Sequence, residues 1–113
     1  YLGGVCSYAS EVKMNVLGVK KETLDTVGAV SAETAEQMAA GVAKALGADI
    51  GVGITGIAGP GGGTEDKPTG LVYISVWYKG ENFTRKTNSS FGRDRVRMQA
   101  VSTALDMIRR HIL

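Results

Sequence analysis

Ser10 and Lys13 stand three residues apart in the segment Tyr8-Ala9-Ser10-Glu11-Val12-Lys13. On a helix that spacing brings the amine onto the hydroxyl one turn back, and a desolvated, neutral lysine can then take the serine proton. The Ser-Asp-Asn and Lys-Thr-Gly elements that accompany Ser-x-x-Lys in the penicillin-binding enzymes are missing. A plainer reading of the same residues stays open, with Ser10 capping a helix and Lys13 a solvated charge. Four residues separate Tyr8 from Lys13, one too many for the Tyr-x-x-x-Lys pair of short-chain dehydrogenases.

The second chemical feature is the run Thr55-Gly56-Ile57-Ala58-Gly59-Pro60-Gly61-Gly62-Gly63-Thr64, with five glycines and a proline in ten residues. Neither helix nor strand can continue through it, so the chain must turn with its backbone accessible. Glycine lets a ligand approach main-chain N–H groups closely. Successive N–H groups in such a turn form a nest for an anion or a developing oxyanion. The alternative is a surface loop without function. Arg93 and Arg97, one helical turn apart, are candidates to hold a phosphate together with a helix N-terminus, or else form a solvated basic face.

Other motif matches fail on context. Gly51-Val52-Gly53-Ile54-Thr55-Gly56 has the letters of the dinucleotide fingerprint, but its glycines lie within a strand and the helix that must follow is absent. Gly51 and Gly53 instead suit a strand face approached closely by a helix or ligand. Lys67 sits between Asp66 and Pro68, which rules out a phosphate-binding P-loop. Cys6 lies in an apolar stretch and reads as a small core residue. His111, the single histidine, lies on an Arg-rich helix near the end of the chain, which excludes the usual Ser-His and Cys-His arrangements. No metal-ligand spacing is present.

The chain of 113 residues is long enough for one domain, expected to span residues 1–113, with a modest core. Hydrophobic content of 43% and charged content of 21% are those of a globular protein. A net charge of +2 without a basic run gives no case for nucleic acid. One cysteine precludes an internal disulfide and is compatible with a reducing compartment. No apolar stretch reaches membrane-spanning length and no signal peptide is visible; the Asn-x-Ser/Thr matches at Asn82 and Asn88 are read as chance. The chain opens without Met and enters an apolar stretch at once, which is read as the mark of a missing upstream segment.

The elements that must position these residues follow from periodicity. Val5 to Tyr8 is expected to end a strand, followed by a helix from Ser10 to Leu17 that stops at Gly18. Lys21 to Thr26 forms another helical turn, and Gly28-Ala29-Val30 is a connector. Ser31 is an N-cap with Glu33 and Glu36 in the first turns. Ala35, Met38, Ala39, Val42 and Leu46 recur at helical spacing before Gly47. Ile50 to Thr55 is a strand. Leu71 to Lys79 is apolar on both faces, which predicts a central strand covered on both sides. Asn82 to Thr87 is polar enough for an edge. Val96, Ala100, Val101, Ala104, Leu105, Ile108 and Ile112 mark a long amphipathic helix. The expected class is α/β, a sandwich with a mixed, mostly parallel sheet containing one antiparallel hairpin.

Taken together, Gly3-Gly4-Val5 through Tyr8 and Lys13, then Leu17-Gly18-Val19, Gly28-Ala29-Val30-Ser31, the glycine run, Lys67-Pro68-Thr69-Gly70 and Arg93 with Arg97 occur in an order that resembles the CinA C-terminal domain family, the nicotinamide-nucleotide amidases. The resemblance covers essentially the whole chain. It implies a three-layer α/β/α sandwich and a cytoplasmic bacterial enzyme, commonly dimeric. The implied reaction is metal- and cofactor-free hydrolysis of nicotinamide mononucleotide to nicotinic acid mononucleotide and ammonia. The family's nucleophile is a serine in a Ser-Cys-Thr-Gly-Gly element upstream of the Gly-Gly-Val stretch, an element this sequence does not contain. By motif position Lys13 is implied as general base and Tyr8 as its catalytic neighbour. Thr55, Gly56, Ile57, Ala58, Gly59 and Gly61 are implied to line the substrate pocket, with Arg93 and Arg97 facing the phosphate. Position 10 usually carries Asn in the family, so Ser10 is read as a polar residue lining the substrate site. The competing expectation is a non-catalytic nucleotide-binding or regulatory module associated with competence and DNA damage. Neither expectation involves a membrane or nucleic acid.

Overall fold

The computed structural model describes residues 1–59, 61–89 and 92–113. Pro60 of the glycine run lies outside them. Two short helices, α1 (Ser10–Asn15) and α2 (Lys21–Thr26), precede the longer α3 (Ala32–Leu46). Three strands follow, β1 (Ile50–Gly56), β2 (Leu71–Tyr78) and β3 (Glu81–Asn88), and α4 (Arg93–His111) closes the described chain.

The ends of α3 are where side-chain chemistry puts them. Ser31 Oγ accepts from Thr34 N at 3.2 Å, and Gly47 adopts the left-handed cap conformation with φ of 65°. The expected cap at Ser10 is not formed. The N-cap of α1 is Ala9, without a side-chain bond, and the helix ends at Asn15 rather than Leu17.

The strands pair in the order β1-β2-β3 and both pairings are antiparallel. This corrects the expectation of a mixed, mostly parallel sheet. Parallel neighbours require a crossover connection, usually a helix, whereas here every helix lies before β1 or after β3. The segment 57–70, which returns the chain from β1 to β2, contains no helix or strand among its described residues. The β2–β3 turn is two residues, Lys79 and Gly80, both at positive φ (49° and 80°), the geometry that matches the twist of a tight hairpin. As its two apolar faces predict, β2 is the central strand, and the polar β3 is an edge.

Helices cover both faces of this sheet, giving α/β/α layering. On one face Val72, Ile74 and Val76 of β2 pack with Val96, Ala100, Ala104 and Met107 of α4. The other face is lined by Gly51, Gly53 and Thr55 of β1, and their register partners Trp77, Ser75 and Tyr73. Here α3 comes so close that a Cβ on Gly51 would lie 1.9 Å from the Ala39 carbonyl oxygen, and one on Gly53 2.2 Å from that of Ala35. The two glycines therefore serve helix–strand packing, as their place in a strand implied. Ser75, fully buried on the same face, is satisfied by the Asn82 amide and the Thr84 hydroxyl, each at 3.0 Å. Thr84 in turn donates to Glu36 of α3 at 2.8 Å.

The expected strand at Val5 to Tyr8 is absent: residues 1–9 form neither helix nor strand. A strand exists only with a hydrogen-bonded neighbour, and none of the three strands pairs with this segment. Cys6, expected in the core, is consequently exposed. No helix among the described residues is long and apolar enough to cross a membrane.

Candidate active site

Lys13 is the site's most unusual side chain. It sits in the last turn of α1 and is only 7% exposed. The turn after α1 buries Leu17 and Val19 against Met38 of α3, with Val5, Leu24 and Val42 around them. That packing fixes α1 on α3 and directs the lysine beneath the N-terminal segment. Its Nζ donates to the Ser7 carbonyl. Burial pushes the Lys13 amine below the ordinary lysine value of 10.5, while its charge interaction with the neighbouring Cys6 acts the other way. A lysine so placed releases its proton more readily than a solvated one, as a general base requires.

Lys13 opens onto a groove of about 1190 Å³, lined on its side by residues 1–8 and facing β1 and the end of α3. That exceeds the roughly 300–1,000 Å³ of usual small-ligand sites, so the groove has room for a mononucleotide. Its far wall includes Ala29, Val30, Thr55 and Gly56. Thr55 is buried and its Oγ1 donates to Ala29 O at 2.6 Å. The preceding carbonyl, Gly28 O, accepts from Ser31 Oγ at 2.9 Å and from Thr34 Oγ1 at 2.7 Å. Among the described residues, the outer edge of β1, which faces this space, pairs with no other strand.

Of the residues singled out from sequence, Tyr8, Lys13, Thr55 and Gly56 come together in this groove. Tyr8 lines it at its rim and is 86% exposed. Ser10 is exposed and does not line the groove, and Lys13 bonds to Ser7 O instead of to the Ser10 hydroxyl. Ile57, Ala58 and Gly59 are half-buried in the loop beyond Gly56, and Gly61 is exposed; none is among the groove-lining residues. Arg93 Nη1 donates to Gly59 O at 3.3 Å, which ties the start of α4 to the loop, and Arg97 is exposed on α4. Among the described residues no cluster of His, Cys, Asp or Glu is arranged to hold a metal.

Sequence reading missed the part played by Gly28-Ala29-Val30. These residues read as a connector, yet Ala29 and Val30 line the groove. Their only local signal was Gly28 itself, whose φ of +84° a side chain rarely adopts. Its partner Thr55 lies 26 residues away, a separation no local pattern reports.

The CinA C-terminal domain family model matches residues 1–112. The chain belongs to the CinA C-terminal domain family. A Clostridium acetobutylicum protein named for competence-damage induction is 52% identical over the whole of this chain, and a CinA-like protein from Kosmotoga olearia is 49% identical over the same length. The chain spans 28% and 27% of those two proteins. The crystal structure of the competence/damage inducible protein CihA from Agrobacterium tumefaciens superposes with a TM-score of 0.88 at 42% identity, over 92% of this chain and 64% of that one. The α/β/α layering of this CinA domain is therefore shared with solved members of its family.

Proposed function

We propose that this CinA domain supplies the base and much of the substrate pocket of an amide hydrolase. The reaction converts nicotinamide mononucleotide to nicotinic acid mononucleotide and ammonia. The observation that carries this reading is a buried lysine, its amine shifted toward neutrality, opening onto a groove walled by Thr55 and Gly56.

In this reading a serine supplied from outside the 113 residues attacks the carboxamide carbon. Lys13 takes the hydroxyl proton as the C–O bond forms, and the carbonyl electrons move onto oxygen. Main-chain N–H groups at the groove-facing end of β1 stabilise that oxyanion. Lys13 then returns the proton to the departing nitrogen, the C–N bond breaks, and ammonia leaves. Water then attacks the acyl ester as Lys13 takes its proton, and the bond between the acyl carbon and the serine oxygen breaks. The serine oxygen recovers the proton from Lys13, and nicotinic acid mononucleotide leaves. Tyr8, at the rim, closes the site beside Lys13. Arg93, already bound to the loop at Gly59, is the nearer of the two arginines to it and the candidate for the substrate phosphate, with Arg97 one turn further along α4.

Ammonia release from nicotinamide mononucleotide tests the reading. Activity in the full-length protein bearing this sequence, and none in the 113-residue chain alone, supports it. Activity in both places the nucleophile within the 113 residues, and silence in both overturns the hydrolase in favour of a nucleotide-binding module.

A further inference from the structure

The described residues of the segment 57–70 form a lobe whose neck is closed by Ile57 N donating to Leu71 O at 2.9 Å and Gly70 N donating to Ile57 O at 2.6 Å. At the far side of the lobe a tight turn is held by Thr64 N donating to Lys67 O at 2.8 Å and Lys67 N donating to Thr64 Oγ1 at 3.1 Å. That turn presents Lys67, whose Nζ crosses to donate to Val27 O. Val27 caps the C-terminus of α2, where helix carbonyls lack an intrahelical partner, so the ammonium satisfies an otherwise open acceptor. The adjacent Gly28 leaves just enough room: a Cβ there would come within 3.1 Å of the Lys67 Nζ. Ala29, the next residue, is the acceptor for Thr55.

We propose that Lys67 is a positioning residue that latches the glycine loop onto the Val27–Ala29 turn and so sets the far wall of the Lys13 groove. The functional part of this inference rests on the hydrolase reading above. The turn is bound from two directions, by Thr55 at the end of β1 and by Lys67 near the end of the lobe. The loop and the turn therefore move together, and through Ala29 the turn carries that motion to the wall of the groove. Without the ammonium, the neck at Ile57 and Gly70 still holds, but the distal part of the lobe is free of the turn. Substrate then binds only the fraction of molecules with the wall in place, which weakens apparent affinity, whereas saturating substrate restores that arrangement and leaves the chemical step unaltered.

The test compares Lys67→Met and Lys67→Arg in the full-length protein bearing this sequence. Amide hydrogen exchange of residues 57–70 is expected to accelerate about tenfold in Lys67→Met, the loss of a charge-assisted bond of roughly 1.5 kcal/mol, with β2 unchanged and with recovery in Lys67→Arg. KM for nicotinamide mononucleotide is expected to rise by a similar factor, with kcat and its pH midpoint retained. Unchanged exchange in the lobe, acceleration spread evenly over the whole domain, or a fall in kcat at constant KM each overturns the latch. Should the unsubstituted protein release no ammonia, the hydrolase reading fails and exchange alone decides whether Lys67 holds the loop.

Discussion

The two walls of the groove are built in opposite ways. The wall beside Lys13 joins the last turn of α1, which carries the amine, to an apolar segment, residues 1–9, that has no regular structure and is tied down by packing of Val5 and by the bond from Lys13 to Ser7 O. The facing wall begins in a run of glycines, the composition of a mobile loop, yet main-chain bonds close its neck and Thr55 and Lys67 cross-link it to a distant turn. Order in a segment thus follows from where its backbone and polar groups find partners, not from how apolar it is. The first wall contributes a reactive amine and the second a shaped surface.

The largest effect that would break this division of labour is on catalysis. Lys13→Met is expected to lower ammonia release by about 10²–10⁴-fold, the usual worth of a general base, in steady-state assays of the full-length protein. Retained turnover would remove Lys13 from the mechanism and leave the Lys13 wall with a structural role only. The same variant also reports on stability. A lysine whose native pKa lies below 10.5 binds its proton more weakly folded than unfolded, so it opposes folding at neutral pH and less so as pH rises toward that value. Lys13→Met should therefore unfold at higher denaturant concentration than the unsubstituted chain at pH 7, with the gap narrowing in alkaline buffer.

Next in size is the support behind the second wall. Gly53→Ala places a methyl where the Ala35 carbonyl sits, and the expected loss is about 3 kcal/mol by denaturant titration, at the upper end for overpacking. A loss below about 1 kcal/mol would show that α3 can retreat from β1 freely. Thr55→Val keeps the shape of the side chain but removes its bond to Ala29 O, for an expected cost of about 1 kcal/mol and a larger proportional rise in KM than in the reciprocal of kcat. An equal change in both would place Thr55 in the chemical step.

The smallest expected effect is a shift in the pH profile. Below substrate saturation the rate should rise with pH as Lys13 loses its proton, with a midpoint under 10.5. Cys6→Ala removes the side chain whose charge interaction opposes this shift and should move the midpoint slightly lower. A midpoint at the ordinary lysine value would mean that the amine is solvated during turnover.

Much of the element order was legible in the chain. Ser31 and Gly47 mark the ends of α3 by local hydrogen bonding and a left-handed cap, and β2 announces its central place by carrying apolar residues on both faces. The motif order running from Gly3-Gly4-Val5 to Arg97 was enough to indicate the family. These features are local, set by propensity, capping and periodicity within a few residues.

Strand direction was not legible, because β1 and β2 are joined by a glycine loop whose length permits either a return or a crossing. Nor was the fate of residues 5–8, since an apolar stretch becomes a strand only where a neighbouring backbone hydrogen-bonds to it. The burial of Lys13 and the convergence of Val27, Ala29, Thr55 and Lys67 belong to the tertiary structure alone. Lys13, Ala29 and Thr55 line one groove, beside which α3 packs closely on β1 at Gly51 and Gly53. Desolvation and long-range hydrogen bonds depend on which surfaces meet, and one-dimensional spacing does not encode that contact.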